Sequence, residues 1–426
     1  MVLHTSLLVD KRLSQRRSVQ LAGGVLLAAV LPWALRVIAL GGHASQVVTT
    51  SAIGNLVAVL LGFYVFRSMT NYPGIRPGFY ILPIVSATFG IVLVAFISLR
   101  LDYSRFVLIT GYLLACSWYL AIFTFSRRSR SLSVAVVPFG DYRKLFSISG
   151  FAWTTLSQPV APAMLAYDCI VADFRADMPE QWEAFLAECA LAGIPVYHTK
   201  QLRESITGRV QIDHLSENSF GSLMPNSPYK HAKFLGDALL ALIALAVLFV
   251  PMMIVAVLIR MDSPGPALFR QARVGLGGHV FQIYKFRTMR IAAPDAVSDT
   301  RDAAMTKDAD PRITRIGRFL RRSRIDELPQ IINVLRGEMS WIGPRPEAMV
   351  LAEWYQSDIP FYSYRHIVRP GITGWAQVRQ GHVADVECVT DKLHYDFYYV
   401  KNFSPWLDIL ILTLTVRTIL TGFGSR

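Results

Sequence analysis

A chain of 426 residues has room for two or three domains, and this one is 53% hydrophobic and 17% charged, with a mean hydropathy of +0.37. That balance argues against an ordinary soluble protein and calls for membrane segments. The net charge of +13 could serve nucleic acid, but the basic residues flank apolar spans and crowd one amphipathic helix. An anionic membrane face or a phosphate-bearing substrate fits that placement better. Cys116, Cys169, Cys189 and Cys388 are far apart, with no CxxC or Cys/His spacing, so reduced thiols and no zinc site are expected. The first apolar stretch is long and is followed by others, unlike a cleaved signal peptide.

In chain order, four stretches are long and apolar enough to cross a bilayer, at roughly residues 19–40, 46–66, 79–99 and 106–126. Lys11, Arg12, Arg16 and Arg17 precede the first, Arg67 and Arg76 lie in the second connection, and Arg127, Arg128 and Arg130 follow the fourth. The positive-inside rule puts these three segments in the cytoplasm. "GGHASQ" on the other side carries no Lys or Arg, whereas "RLDYSR" carries two arginines and is a mild exception. Arg36, near the outer end of its span, reads as a snorkelling anchor.

From about residue 131 to 228, apolar runs ("LSVAVV", "AYDCIVADF", "IPVYHT") alternate with the helical pattern "PEQWEAFLAECALAG". That order predicts a small α/β unit with a parallel sheet. A dinucleotide site needs GxGxxG after the first strand, and the chain reads "VVPFGDYRK" there, which favours a structural or dimerising role.

A fifth apolar segment, "DALLALIALAVLFVPMMIVAVLIR", has no charge between Asp237 and Arg260. Its length permits a kinked span, but crossing would carry a basic domain outward. Pro251 near its middle should bend it, so a hairpin that enters and leaves on the cytoplasmic side satisfies both facts and is the favoured reading, with an ordinary kinked span as the alternative.

"DPRITRIGRFLRRSR" predicts an amphipathic cationic helix with Asp310 as N-cap and Pro311 in its first turn. Beyond it, "IDELPQIINVLRG" sets Asp326 beside Glu327, with Leu328, Ile331, Ile332 and Leu335 in helical period and Gly337 closing the run. With Asp326 as N-cap, Pro329 falls in the first turn, where its missing donor matters little, and the positive helix end keeps the carboxylate ionised. A cap and a first-turn acid are the plain structural reading of the pair. Around it, "SPGPALFRQARVGLGGHVFQIYKFRTM", "MSWIGPRPE" and "VRPGITGWAQVRQG" supply arginine forks, a lysine and glycines suited to phosphate. A magnesium ion needs only one or two carboxylates plus substrate phosphates, and Glu327 could help supply them. In "SPWLDILILTLTVRTILTG" Ser404 is a candidate cap, and Asp408 and Arg417 suggest an interfacial helix rather than a full crossing.

Residues 231–423 resemble the bacterial sugar transferase family, the polyprenyl-phosphate sugar-1-phosphate transferases, through "SPGPALFRQ", "YKFRTM", "DPRITRIGRFLRR", "IDELPQIINVLRGEMSWIGPRP" and "RPGITGWAQV" in order. The whole chain is similar to the large members, and the resemblance implies three parts. These are an α-helical membrane domain (1–130), an α/β Rossmann-like module (131–228) and a mixed α/β monotopic catalytic domain (229–426) with a re-entrant membrane helix hairpin at 233–259 hinged at Pro251.

It also implies transfer of a sugar-1-phosphate from a UDP-sugar to undecaprenyl phosphate, with UMP released, at the cytoplasmic face of the bacterial inner membrane, initiating exopolysaccharide, capsule or O-antigen synthesis. Asp326 is then the expected nucleophile, and Glu327 a metal ligand or activator of the acceptor. Lys285, Arg287, Arg321, Arg345 and Arg369 are candidates for holding phosphate, Gln377 for touching the nucleotide, and Asp326 with Glu327 for holding Mg2+. Two departures stand out: Arg324 and Ile325 replace a small residue and leucine before the acid pair, and the amino-terminal module lacks a glycine-rich loop.

The expected partners are the UDP-sugar, undecaprenyl phosphate and bilayer lipid, with no nucleic acid and a homodimer through the amino-terminal half. Glucose or galactose is the sugar suggested by analogy with large members. A membrane glycosyltransferase releasing UDP and a non-catalytic scaffold of a polysaccharide assembly complex are the alternatives.

Overall fold

Wherever the sequence offers a membrane-length apolar run, the chain is helical. The computed structural model describes residues 17–69, 78–126, 132–162, 167–212, 227–290, 310, 312–380 and 386–421, in two compact units, Met1–Gly208 and Arg209–Arg426. Lys11, Arg12, Arg16, Arg76, Arg127, Arg128, Arg130 and Pro311 lie outside the described residues.

In the first unit, α1 (Arg17–Val25) passes through a π-helical stretch (Leu26–Val30) into α2 (Leu31–Ala39), followed by α3 (Gln46–Met69), α4 (Gly78–Ser98) and α5 (Arg105–Ser126). All four runs are long and apolar enough to cross a bilayer. Their outward faces expose Ile91, Val94, Ile97 and Ile109, while Ala58, Val59, Ile81, Val85 and Ala115 pack inside.

Buried polar groups in such a bundle must find partners inside it. Asn55, fully buried, donates through Nδ2 to the carbonyls of Ala28 in the π-helical stretch (3.0 Å) and Val107 (2.8 Å), tying three helices together. A Cβ on Gly111 would lie 2.0 Å from that nitrogen, so only glycine allows the approach. Arg36 stacks on the Phe106 ring at 5.8 Å.

The same unit holds a four-stranded sheet of β1 (Leu132–Val136), β2 (Phe151–Thr155), β3 (Cys169–Ala172) and β4 (Val196–His198), ordered β2-β1-β3-β4 and parallel throughout. Its central strands are buried on both faces, which is why they read as continuous apolar runs. Ala135, Ile170 and Ala172 face Trp182 and Phe185 of α6 (Glu180–Leu191), and Val134, Val136 and Val171 face Leu145 and Leu202, the latter on α7 (Thr199–Thr207).

After β1, Gly140 adopts a left-handed φ of 66°, and a Cβ there would lie 2.4 Å from Asp173 Oδ2. Asp173 accepts from the amides of Asp141 (3.1 Å) and Arg175 (3.2 Å), so its carboxylate occupies the turn where a dinucleotide fold would offer amides to phosphate. Cys116, Cys169 and Cys189 are buried free thiols.

The second unit begins with α8 (Ser227–Asp262), 36 residues with Pro251 inside. One stripe of it, including Ala241, Leu245 and Leu248 before the proline and Met252, Val255 and Ile259 after it, packs on the domain. Its opposite face exposes Leu239, Val247, Val250, Ile254 and Met261.

The stripe rests on the antiparallel hairpin β5 (Leu268–Val274) and β6 (Val280–Phe286), α9 (Arg315–Ser323) and α10 (Ile331–Leu335). The remaining elements are β7 (Ser340–Ile342), α11 (Met349–Asp358), β8 (Gly371–Thr373), α12 (Trp375–Gln380), α13 (Val386–Lys401) and α14 (Pro405–Thr421).

β7 and β8 pair in parallel, Ser340 opposite Gly371 and Ile342 opposite Thr373. Cβ atoms on Gly343, Gly371 and Gly374 would lie 2.3, 2.1 and 2.2 Å from the Arg369 carbonyl, the Gly343 amide nitrogen and the Gly343 carbonyl. The glycines of "GPRP" and "RPGITG" thus bring backbone against backbone, where the sequence suggested approach to a ligand.

α8 and α14 meet through a buried polar cluster. Lys233 pairs with Asp408 (2.8 Å) and Asp237 (3.5 Å), Tyr399 donates to Asp408 (2.8 Å), and Ser340 donates to Asp237 (2.6 Å). Ser404 accepts from the Leu407 amide at 3.4 Å, the expected cap. Leu407, Leu410 and Ile411 of α14 are fully buried while Leu412 and Val416 are exposed.

Candidate active site

The cationic helix starts later than its sequence suggests. Thr314, not Asp310, is the N-cap, its hydroxyl accepting from the Gly317 amide at 2.9 Å. Asp310 instead clamps its near neighbour Arg312, whose guanidinium reaches it at 2.6 Å. The misreading has a physical reason, since an Asp-Pro pair looks like a start signal wherever it occurs. A Cβ on Gly317 would lie 2.0 Å from the Thr288 carbonyl, so the helix is pressed against the chain that leaves β6.

α9 ends at Ser323, and Arg324 turns the chain in a left-handed conformation, φ 58°. A non-glycine residue is held there only when its surroundings demand it. Next comes a 3₁₀ helix, Ile325–Gln330, and the α-helical stretch begins at Ile331. Pro329 lies inside the 3₁₀ turn, and Asp326 makes no capping bond there, so the expected cap is corrected.

Both acids are buried. Glu327 Oε1 receives Arg345 Nη2 at 2.8 Å, Lys285 Nζ of β6 at 3.4 Å and Arg324 Nη1 at 3.7 Å. Burial alone would raise the Glu327 pKa, but Arg345 and Lys285 outweigh it and hold the carboxyl well below its ordinary range. Lys285, also buried, is pushed down to about 8, against the pull of Glu327.

Asp326 is different. Its Oδ1 is buried with no hydrogen-bond partner, and burial, followed by the adjacent Glu327 charge, raises its pKa. Lys285, Arg345 and Arg324 pull the other way without cancelling the burial, and the helix-end stabilisation expected of a cap is missing because Asp326 makes no capping bond.

Arg345 is braced from behind. Arg365 Nη2 donates to the Arg345 carbonyl (2.8 Å) and Arg273 Nη1 to that of Pro346 (2.9 Å). Arg365 is held in turn by Asp396 (2.8 Å) and the Tyr362 hydroxyl (2.7 Å), while Lys392 pairs with Glu347. The members of this layer lie far apart in sequence: Asp396 carries no local signal, and Glu347, though it ends "MSWIGPRPE", has nothing beside it to mark Lys392 as its partner.

The other expected phosphate ligands are engaged elsewhere. Arg287 donates to the carbonyls of Ser263 (2.7 Å) and Pro264 (2.7 Å), closing the end of α8. Arg321 donates through Nε to Thr288 (2.9 Å), half-buried and within reach of the Asp326 charge. Arg369 stacks on Phe234 at 4.4 Å and donates to the Gly337 carbonyl (2.9 Å), and Gln377 donates to the Ile372 carbonyl (3.2 Å). Of the sequence candidates, the structure brings together Asp326, Glu327, Lys285 and Arg345, with Arg324 added and Arg321 nearby.

A buried acid pair ringed by cations, beside an apolar helix of membrane length, is chemistry for phosphate at a lipid surface. Residues 228–422 match the family described as bacterial sugar transferase. The chain is 49% identical over 377 residues, 88% of its own length and 87% of the other's, to the UDP-N-acetylgalactosamine-undecaprenyl-phosphate N-acetylgalactosaminephosphotransferase of Aeromonas hydrophila. The chain belongs to the bacterial sugar transferase family.

Other relatives match this sugar transferase over less than half of its length. The UDP-glucose:undecaprenyl-phosphate glucose-1-phosphate transferase of Xanthomonas campestris is 49% identical over 191 residues, 44% of this chain and 39% of that protein. The enzyme of the same description from Escherichia coli is 41% identical over 182 residues, 42% of this chain and 38% of that protein.

Removing Arg345 should leave Glu327 short of its nearest cation. Arg345→Met is expected to destabilise the folded protein by about 3 kcal/mol, as breaking one side of a buried pair does. Glu327→Gln with Arg345→Met should lose less than the sum of the single losses, as read from thermal unfolding in detergent.

Proposed function

We propose that this chain transfers a sugar-1-phosphate from a UDP-sugar to undecaprenyl phosphate and releases UMP, through a sugar-phosphoryl intermediate on Asp326. The observation that carries the reading is a buried aspartate oxygen left without a partner while the cations around it bind its neighbour.

In the first step an Asp326 carboxylate oxygen bonds to the phosphorus that carries the sugar, the bond from that phosphorus to the bridging oxygen breaks, and the electron pair leaves with UMP. In the second, an oxygen of undecaprenyl phosphate bonds to the same phosphorus and the aspartyl oxygen departs, restoring the carboxylate. An aspartate is a weak nucleophile, so alignment and charge neutralisation must do most of the catalysis. Raising its pKa makes the carboxylate more basic, and leaving it unbonded spares it from giving up a hydrogen bond before attack. Lys285 and Arg345, with Arg321 nearby, set the positive field into which a diphosphate comes.

A magnesium ion fits the residues present. It takes one or two carboxylates and completes its shell with phosphate and water oxygens, and Asp326 supplies an unbonded carboxylate oxygen, with Glu327, whose Oε1 is held by Arg345, Lys285 and Arg324, next in the chain. Asp326 and Glu327 would hold it, and it would supply neutralisation of the diphosphate charge.

N-acetylgalactosamine is the first sugar to test. The relative matched along nearly its whole length bears that sugar in its description, whereas the two matched over less than half of this chain bear glucose.

We place the second unit on the cytoplasmic face of the inner membrane, with α8 as a hairpin hinged at Pro251. Support comes from the packed stripe from Asp237 to Ile259, along which the helix lies against the domain for about 33 Å at 1.5 Å per residue, roughly the full thickness of hydrocarbon. A straight crossing would draw the elements carrying Lys285, Arg321 and Glu327 into lipid along that whole length. A bent helix keeps them at headgroup level, where a lipid phosphate lies. The division at residues 130 and 228, and pairing of two chains through the amino-terminal half, belong to the same proposal.

Purified protein given undecaprenyl phosphate and a panel of UDP-sugars should release UMP, and Asp326→Asn should abolish release; UDP as the product would instead mark a simple glycosyltransferase. The pH profile of kcat/KM should be bell-shaped. Asp326 must be ionised, so activity falls with acidification at a pH above the ordinary aspartate value of about 3.9. Lys285 must be charged, so activity falls as pH rises through about 8, and Lys285→Arg should carry that limb upward; a flat profile there would remove Lys285 from the charge field. Finally, cysteines introduced at Lys230 and Arg260 should both react with a membrane-impermeant maleimide only from the cytoplasmic side, and labelling from opposite sides would establish a span.

A further inference from the structure

The 3₁₀ turn carries a second polar side chain that the mechanism above does not use. Gln330 is 2% exposed, and its carboxamide nitrogen is buried with no hydrogen-bond partner. Asp326 Oδ1, on the same six-residue turn, is buried and unpartnered as well. Folded proteins pair nearly all such groups, so each exception calls for a reason.

A nearby carboxamide shows what a purely structural one looks like. Asn333, fully buried, donates to the Gln282 carbonyl (2.7 Å) and to Glu338 Oε2 (2.6 Å) and accepts from the Tyr284 amide (3.1 Å), locking α10 to β6. Gln330 has no comparable set of bonds. One orphaned donor and one orphaned acceptor, not bonded to each other, are complementary to a third group that accepts a hydrogen bond and is attacked by a carboxylate. A phosphoryl group does both, its non-bridging oxygens being acceptors and its phosphorus the electrophile.

We propose that Gln330 is a further catalytic residue, its Nε2 donating to a non-bridging oxygen of the phosphoryl group while the Asp326 oxygen bonds to phosphorus and the bond to the UMP oxygen breaks. The proposal rests on Asp326 as nucleophile. No proton is transferred: Gln330 keeps both amide hydrogens, and the electron pair leaves with UMP. A neutral donor is suited to this place, because Lys285, Arg345 and Arg324 already surround Glu327. A further cation would add field without direction, whereas a carboxamide offers a neutral, directional hydrogen bond.

The discriminating variant is Gln330→Met, which nearly keeps the shape and deletes the orphaned donor. If the donor works on the transition state, the melting temperature should hold or rise while kcat and the rate of the UMP burst fall about 100-fold, with KM for the UDP-sugar little changed. Gln330→Asn, whose carboxamide is withdrawn by one methylene, is the check should the methionine variant fold poorly, and the same kcat loss is expected. Wild-type kcat in either folded variant would overturn the proposal and leave Gln330 a structural residue. A raised KM with kcat kept would overturn its catalytic role. Asp326→Asn in the same burst assay separates the two claims: a burst retained there removes the nucleophile and this proposal together, whereas its loss alongside a fully active Gln330→Met sinks the Gln330 proposal alone.

Discussion

A buried carboxylate stays charged only if cations follow it out of water, and the catalytic unit is arranged around that demand at Glu327. Arg345, Lys285 and Arg324 reach one of its oxygens from three separate parts of the chain: the "GPRP" loop, strand β6 and the left-handed turn after α9. Each approach has its own support. Arg345 is clamped through its carbonyl by Arg365, Lys285 is carried by a strand paired to β5, and Arg324 holds a backbone conformation that side chains usually avoid. These cations bond Glu327, so Asp326 Oδ1 is left unbonded, and burial, with the adjacent Glu327 charge, raises the Asp326 pKa against their pull. The two adjacent acids are thus chemically different: one is paired with three cations, the other is buried with an unbonded oxygen.

The same construction connects the site to the apolar helix. Arg287 leaves β6 just beyond Lys285 and closes the end of α8 through the Ser263 and Pro264 carbonyls, while Lys233, Asp237 and Asp408 fasten its beginning. Between these two polar ties, the packed stripe of α8 rests on the hairpin and on α9 and α10. These ties fix the acid pair to the apolar helix, so the position of one sets the position of the other.

Much of this was legible in the chain. Apolar runs of the right length located the helices, alternation of strand and helix patterns gave the parallel sheet, and the blocks around "IDELPQ" marked the acid pair. Residue type could not give partners. An arginine reads as a phosphate ligand whether it meets substrate or a carbonyl, so Arg287 and Arg369 were grouped with Arg345 although both bond main-chain oxygens. Gln330 was passed over because a glutamine among apolar residues gives no local sign that it is buried without a partner; its position between Pro329 and Ile331 on an inward-facing turn was the available hint. The start of α9 was misplaced because Asp310-Pro311 and Thr314 are both acceptable caps, and only the close approach of Gly317 to the Thr288 carbonyl decides between them.

The central claim is a covalent bond between phosphorus and Asp326. The most direct measurement is peptide mapping by mass spectrometry after an acid quench of protein mixed with UDP-sugar and no lipid acceptor. The account predicts a sugar-phosphate mass on the peptide containing Asp326, discharged when undecaprenyl phosphate is added before the quench. An unmodified peptide in protein that turns over normally, or the adduct on any other residue, would contradict it.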